Sequence, residues 1–294
     1  MRSTLCLLFM SLLVSSCFAQ GSPASGDWKV VDDQLGRTGS AQPGGVYRVG
    51  LPRTDLHVTA GGTEIKPALA LGGWLAFKQA DHGAMVMGDL VLTEDEVAPV
   101  TAKLQSAGIQ QTAIHNHVLH ETPRVMYMHV EGHGDAAQLA KSLHDALAVT
   151  KLPVPTPSKP SELSGLDQNQ IEQALGRQGK VHGGVLQVSV PRGEMITEDG
   201  MEIPPSMGTA TALNFQPTGG GKAAITGDFV LIASEVNPVI RVLTDNGIAV
   251  TALHSHMLTE SPRLFFMHFW ANDDGVKLAK ALHDALSKTN GAKP

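Results

Sequence analysis

The chain has 294 residues, enough for two ordinary domains or one large one. Hydrophobic residues make up 42% and charged residues 17%, which suits a packed core and excludes a disordered chain. The formal charge of −6 argues against nucleic acid and anionic membrane surfaces as partners.

Residues 1–20 read as a targeting segment. Arg2 gives a thin positive start, residues 5–14 an apolar stretch too short to span a bilayer, and residues 15–19 a small-residue cleavage region. Val14-Ser15-Ser16-Cys17 has the form of a lipoprotein box, which would leave Cys17 lipidated. Cys17-Phe18-Ala19 before Gln20 fits ordinary signal-peptidase cleavage equally well. Either route predicts export, to the periplasm or to a lipid anchor on the bacterial cell envelope. The two cysteines, Cys6 and Cys17, both lie in this segment. That excludes a disulfide, a thiolate metal site and thiol catalysis in the remainder.

The rest of the chain is one unit used twice, at residues 27–150 and 164–289, joined by the Pro-rich linker 151–163. Residues 27–36 (DWKVVDDQLG) and 166–176 (LDQNQIEQALG) predict short helices stopped by Gly36 and Gly176. Strands are expected at 46–53 and 185–192, each ending in Pro-Arg, then near 74–77 and 210–215. The next pair, 84–92 and 223–232, carries a repeated Gly-Asp at Gly88-Asp89 and Gly227-Asp228. Asp95 and Ser234 are candidate N-caps of a helix, with Pro99 and Pro238 expected in its first turn. Each unit closes with an amphipathic helix ending Leu-His-Asp-Ala-Leu. The order predicts an α+β fold: two copies of a split βαβ-type unit, an antiparallel-rich sheet with helices on one face. Edge-to-edge joining and face-to-face packing of the two sheets both remain open.

Between the last two helices of each unit lies the stretch that stands out. Residues 112–129 read TAIHNHVLHETPRVMYMH and residues 251–268 read TALHSHMLTESPRLFFMH. Strand residues two apart share a face, so His115 and His117 project together, as do His254 and His256. Glu121-Thr122-Pro123 and Glu260-Ser261-Pro262 break the pattern as turns. A second strand then carries His129 or His268. With an even pairing sum all three rings of a unit share one face; with an odd sum the third lands opposite.

The duplicated unit, the lipoprotein-like start, His115-Asn116-His117 and Pro123-Arg124 with their second-unit equivalents resemble the LppY/LpqO-type family of exported bacterial proteins. That family is known as a domain of unknown function. The resemblance implies export and brings no reaction with it.

Neutral imidazoles on neighbouring strands predict a site for a divalent transition metal. Zinc is the best match, with copper or iron as alternatives. The expected ligands are His115, His117, His129, His254, His256 and His268, a three-nitrogen cap in each unit. Glu121 and Glu260 are candidate catalytic bases acting on a bound water. Asp89, Asp228, Glu96 and Glu235 are candidates to orient ligands by residue type alone. Arg124 and Arg263 can bind an anionic group of a small-molecule ligand, or form salt bridges to Glu121 and Glu260. The competing reading makes the histidines structural and the chain an anion-binding module. His120 reads as a solvated turn residue, and His144 and His283 as capping or packing groups. The methionines beside His129 and His268 read as core, with copper ligation as a lesser alternative.

Overall fold

The computed structural model describes residues 28–154 and 161–292; the leader expected at residues 1–20 lies outside them. The first repeat runs α1 (Lys29–Leu35), β1 (Ser40–Gln42), β2 (Val46–Pro52), β3 (Val58–Ala60), β4 (Thr63–Ile65), β5 (Gly72–Ala80), β6 (Gly83–Thr93), α2 (Glu94–Ser106), β7 (Gln110–His115), β8 (Glu121–Thr122), β9 (Val125–Gly134) and α3 (Ala136–Leu147). The second runs α4 (Gln168–Leu175), β10 (Lys180–His182), β11 (Val185–Pro191), β12 (Thr197–Glu198), β13 (Met201–Glu202), β14 (Ala210–Gly219), β15 (Lys222–Leu231), α5 (Ala233–Asp245), β16 (Ala249–His254), β17 (Phe265–Asp274) and α6 (Gly275–Leu286).

Each repeat forms a six-stranded sheet, in the orders β1-β2-β5-β6-β9-β7 and β10-β11-β14-β15-β17-β16. Strand β9 lies between β6 and β7 and is antiparallel to both. Strands β6 and β7 therefore run parallel, with α2 connecting them, which is the split βαβ arrangement. Strands β15, β17 and β16 repeat it with α5. The fold is α+β, as the sequence predicts.

Helix starts depart from the expected positions. The Glu96 carboxylate accepts the Thr93 backbone N–H at 3.0 Å, and Glu235 accepts that of Ile232 at 2.9 Å. The capping carboxylate belongs at the third helical position. That places the N-caps at Thr93 and Ile232, two residues before Asp95 and Ser234. Pro99 and Pro238 consequently sit inside the helices rather than in the first turn.

One sheet face packs on helices. Val49, Phe77, Val86 and Met128 meet Val100, Leu104 and Leu143 in the first repeat. Phe215, Phe229 and Met267 meet Val239 and Leu282 in the second. The faces turned away from the helices pack on one another. Met85 and Met87 meet Val230 and Phe266, while Val91 and Tyr127 share a cluster with Ala224 and Trp270. The sheets thus stack face to face, in four layers from helices to helices. Strand β6 explains its own sequence here: it is apolar almost throughout because both its faces are covered. The Thr112 hydroxyl bonds the His256 carbonyl, and the Thr251 hydroxyl bonds the His117 carbonyl. This reciprocal exchange marks a pseudo-twofold relation between the repeats.

The Pro-Arg pairs end in buried ion clusters. Arg53, 1% exposed, donates to Glu96 at 2.6 Å, to Asp55 at 2.8 and 3.0 Å, and to the Val91 carbonyl at 2.9 Å. Arg192 repeats this with Glu235, Glu194 and the Val230 carbonyl. Glu96 also accepts the Lys151 N–H, tying the start of the linker to the first repeat. Glu96 and Glu235 are therefore structural partners of arginine, rather than groups orienting the histidines.

Candidate metal centre

The pairing register decides where the rings point. His115 pairs with Tyr127 and Ala113 with His129, so the sum is even and His115 and His129 share a face. His254 pairs with Phe266 and Ala252 with His268 in the same way. That face is the one meeting the other sheet. The sequence suggests a separate three-histidine cap in each unit. Face-to-face stacking instead merges the two sets into one buried cluster of six rings.

The pairing crosses between repeats. The His115 and His254 ring centroids are 3.6 Å apart, those of His129 and His256 3.6 Å, and those of His117 and His268 3.9 Å. His117 stacks on Tyr127 at 3.3 Å and His256 on Phe266 at 3.4 Å, which fixes both ring planes. The tightest ligand set is not a single-unit cap. His115, His254, His256 and His268 each offer a nitrogen, all within 4.8 Å of one another. Four nitrogens around one tetrahedral zinc ion at ~2.1 Å stand about 3.4 Å apart. The longest of the present separations would close by up to about 1.4 Å to gather all four.

Backbone carbonyls select the tautomers. His268 Nδ1 donates to the Gly227 carbonyl at 2.7 Å, and His115 Nδ1 lies 3.2 Å from the Asn116 carbonyl. Their Nε2 lone pairs are left to point inward, the usual way a ligating histidine is oriented. Asp89 lies opposite His129 and Asp228 opposite His268 in the ladders. Asp228 approaches His256 Nε2 to 3.1 Å without the alignment of a hydrogen bond, and Asp89 approaches His117 and His129 to 3.9 Å. The glycine before each aspartate lets the strands come this close: a Cβ on Gly227 would sit 1.9 Å from the Ala212 carbonyl oxygen.

Burial, followed by mutual repulsion where rings crowd, pushes the imidazoles down: His115 to about 3 and His268 to about 4, with His117, His129, His254 and His256 lowered as well. All six are neutral at physiological pH, the form that binds metal. Burial, then the charge of Asp228, pushes Asp89 up to about 8; burial pushes Asp228 up to about 6. A cation among them would favour both carboxylates ionised.

The cluster is short of partners. Nine buried side-chain atoms in it lack a hydrogen bond: Nε2 of His115, His117, His129, His256 and His268, both nitrogens of His254, and one oxygen each of Asp89 and Asp228. An unmet buried polar atom costs about 1–3 kcal/mol. Nine of them rival the whole stability of a domain, about 5–15 kcal/mol. A ligand that accepts nitrogen lone pairs removes that cost.

The remaining expected residues brace the turns. Glu121 accepts the Val125 N–H at 3.2 Å, and Glu260 accepts that of Leu264 at 2.9 Å. Burial pushes Glu121 up to about 7, and Glu260 is raised as well. Both turns hold cis prolines, at Pro123 and Pro262. Arg263 bonds Glu260 at 3.1 Å, two carbonyls and Ser255, whereas Arg124 faces Glu94 across 3.8 Å at the surface. His144 and His283 hydrogen-bond the Leu35 and Leu175 carbonyls at helix ends, as expected of capping groups. His120 is exposed with a positive φ of 57°. Met128 and Met267 lie in the helix-side cores, on the face away from the histidines, so they do not ligate beside them.

Fold and site together define an α+β protein of two repeats closed over a shared histidine cluster. The chain belongs to the family described as Domain of Unknown Function (DUF1259), whose model matches residues 29–149 and 169–288. No curated protein matches it. Among solved structures, a trimeric bacterial microcompartment shell protein, PduB, is 10% identical over 87% of this chain and 96% of that one, with a TM-score of 0.24. EtuB from Clostridium kluyveri is 9% identical over 85% and 91%, with a TM-score of 0.19. The double-ringed trimeric shell protein MSM0271 from the RMM microcompartment is 12% identical over 72% and 86%, also at 0.19. Scores this low carry no functional meaning across to this chain.

Proposed function

We propose that this protein is an exported metal-binding protein of the bacterial cell envelope, of the LppY/LpqO type, holding a divalent transition metal in a cage shared by its two repeats. His115, His254, His256 and His268 are the ligands, with His117, His129, Asp89 and Asp228 around them. An all-imidazole set suits zinc best, then copper or iron. The single observation that supports this reading is the concentration of unpartnered nitrogens in a buried interface. The leader-like residues 1–20 support export. The test is elemental analysis of tag-free protein with His254→Ala beside it. About one ion per chain, lost in the variant, is the expected result. A folded, metal-free wild type that takes up no zinc, copper or iron would refute the proposal.

A second reading makes the centre catalytic, with Glu121 or Glu260 as base. Glu121 favours it, since a carboxyl pushed up to about 7 suits proton transfer near neutrality. Arg124, exposed at the same turn, would then hold an anionic group of the substrate. Glu121→Gln separates the readings: a catalytic base loses metal-dependent hydrolysis of ester or phosphate substrates with metal content intact. Absence of any such turnover in the metal-loaded wild type removes the catalytic reading.

A further inference from the structure

Strand β9 carries a second group of chemistry-bearing residues beyond its histidine of the cage. Glu131 and His133 follow His129 on the same sheet face, and both meet the β12–β13 arm of the other repeat. Glu131 is buried, and its Oε1 lies 3.1 Å from His133 Nε2. Asp199, at the tip of the arm, brings a carboxylate oxygen within 4.8 Å of both. Two ligands of one ion at ~2.1 Å stand roughly 3.0–3.4 Å apart. The Glu131–His133 separation falls in that range.

An independent observation comes from Glu198, the residue before Asp199. It is 2% exposed, and its Oε2 is buried with no partner. Its Oε1 shares the Thr259 hydroxyl with Asp199 at 3.1 and 3.2 Å, so the two carboxylates stand side by side. Burial raises Glu131, the hydrogen bond from His133 lowers it, and the charges of Glu198 and Asp199 add smaller upward pushes. Three carboxylates therefore converge, and among the described residues their hydrogen-bond partners are the His133 ring on Glu131 and the Thr259 hydroxyl and N–H on Glu198 and Asp199. Like charges gathered in a half-buried pocket repel unless a cation lies between them.

The corresponding place in the other half lacks this chemistry. There Trp270 stands in place of Glu131 and Asn272 in place of His133. Trp270 packs with Ala60 in an apolar cluster, and Asn272 bonds Thr63 and Thr218. The acidic knot is thus not required by the fold, since the twin position closes without it.

We propose that Glu131, His133 and Asp199, with Glu198 behind them, form a second cation site, separate from the histidine cage, that takes a divalent ion preferring oxygen ligands with one nitrogen, of the Mn²⁺ type. Oxygen-rich sets with a single imidazole favour such ions over the soft, nitrogen-seeking ones that suit the cage. The site bridges the repeats, so the ion would clamp the second repeat's arm to the first repeat's sheet.

The test is titration of the full chain with Mn²⁺, tracked by loss of the free-ion electron paramagnetic resonance signal. The wild type is compared with His133→Ala, Asp199→Asn and the cage variant His254→Ala. Asp199 and His133 are solvent-accessible, so both variants keep the fold; thermal melts without metal check this. The wild type binds one Mn²⁺ per chain. His133→Ala and Asp199→Asn weaken it by roughly tenfold or more, and His254→Ala leaves it unchanged. No Mn²⁺ uptake by the wild type overturns the proposal, as does uptake that survives both site variants. Loss of uptake in His254→Ala alone assigns the ion to the cage and overturns it as well.

Discussion

Two buried polar regions of this protein obey opposite rules. At Arg53 the guanidinium and its carboxylate partners meet one another, a carbonyl and two backbone N–H groups, close to full satisfaction. In the histidine interface neutral rings stack and their lone pairs face each other unmet. The first arrangement is complete as a piece of protein. The second leaves nine buried polar atoms without a hydrogen-bond partner. Burial alone therefore does not tell a structural polar group from a functional one; the account of its partners does.

The widest separation between the two regions is expected in acid. Each cage imidazole is depressed below its ordinary value of 6.5, so the unfolded chain binds protons that the fold excludes. That stability is present above pH 6.5 and is withdrawn as pH falls, by about 2 kcal/mol per histidine at pH 5. With six such rings, metal-depleted protein unfolds between pH 6.5 and 5 in circular dichroism. Glu96 is also depressed, by its hydrogen bonds to Arg53 and to backbone N–H groups, which outweigh the effect of burial. Its contribution is present above the ordinary carboxylate range and is lost only as pH falls through the lower folded value. Unfolding of the metal-depleted protein that starts only below about pH 4.3 would place the weakness at the arginine clusters instead.

Next in size is the arginine cluster itself. Arg53→Ala strands the buried Glu96 carboxylate and costs about 3–5 kcal/mol in denaturant unfolding, while metal content per folded chain stays level. A parallel loss of metal would mean the two regions are not independent. His254→Ala does the reverse: metal affinity falls by roughly tenfold or more, whereas the metal-free variant is no less stable than metal-free wild type beyond its small cavity. The smallest contrast lies at the two turns. Arg263→Ala costs about 1 kcal/mol through its lost carbonyl and Glu260 bonds. Arg124→Ala costs under about 0.5 kcal/mol, since its pair with Glu94 is long and exposed. Equal losses would mean the twin turns are braced alike.

The repeats, the split βαβ order and the shared face of His115 and His117 come from local pattern, because strand parity and helix periodicity are local properties. The merging of six histidines does not. It depends on the even register and on which faces of the two sheets meet, and neither leaves a mark in residue spacing. The arginine clusters do leave one. Arg53 and Glu96 are 43 residues apart, and so are Arg192 and Glu235. A Pro-Arg at a strand end and a capping glutamate at the same interval in both repeats is a signal for a pair. The acidic knot has no counterpart in the other repeat, so comparing the two copies could not single it out.

The crossed ring pairing also bears on descent. Two identical chains meeting about a true axis could build the same cage, but every substitution would appear twice. With both halves in one polypeptide, that constraint is lifted: Trp270 can seal one end of the interface while Glu131 keeps the other end charged. Two repeats in one polypeptide thus leave the two ends of the interface free to differ.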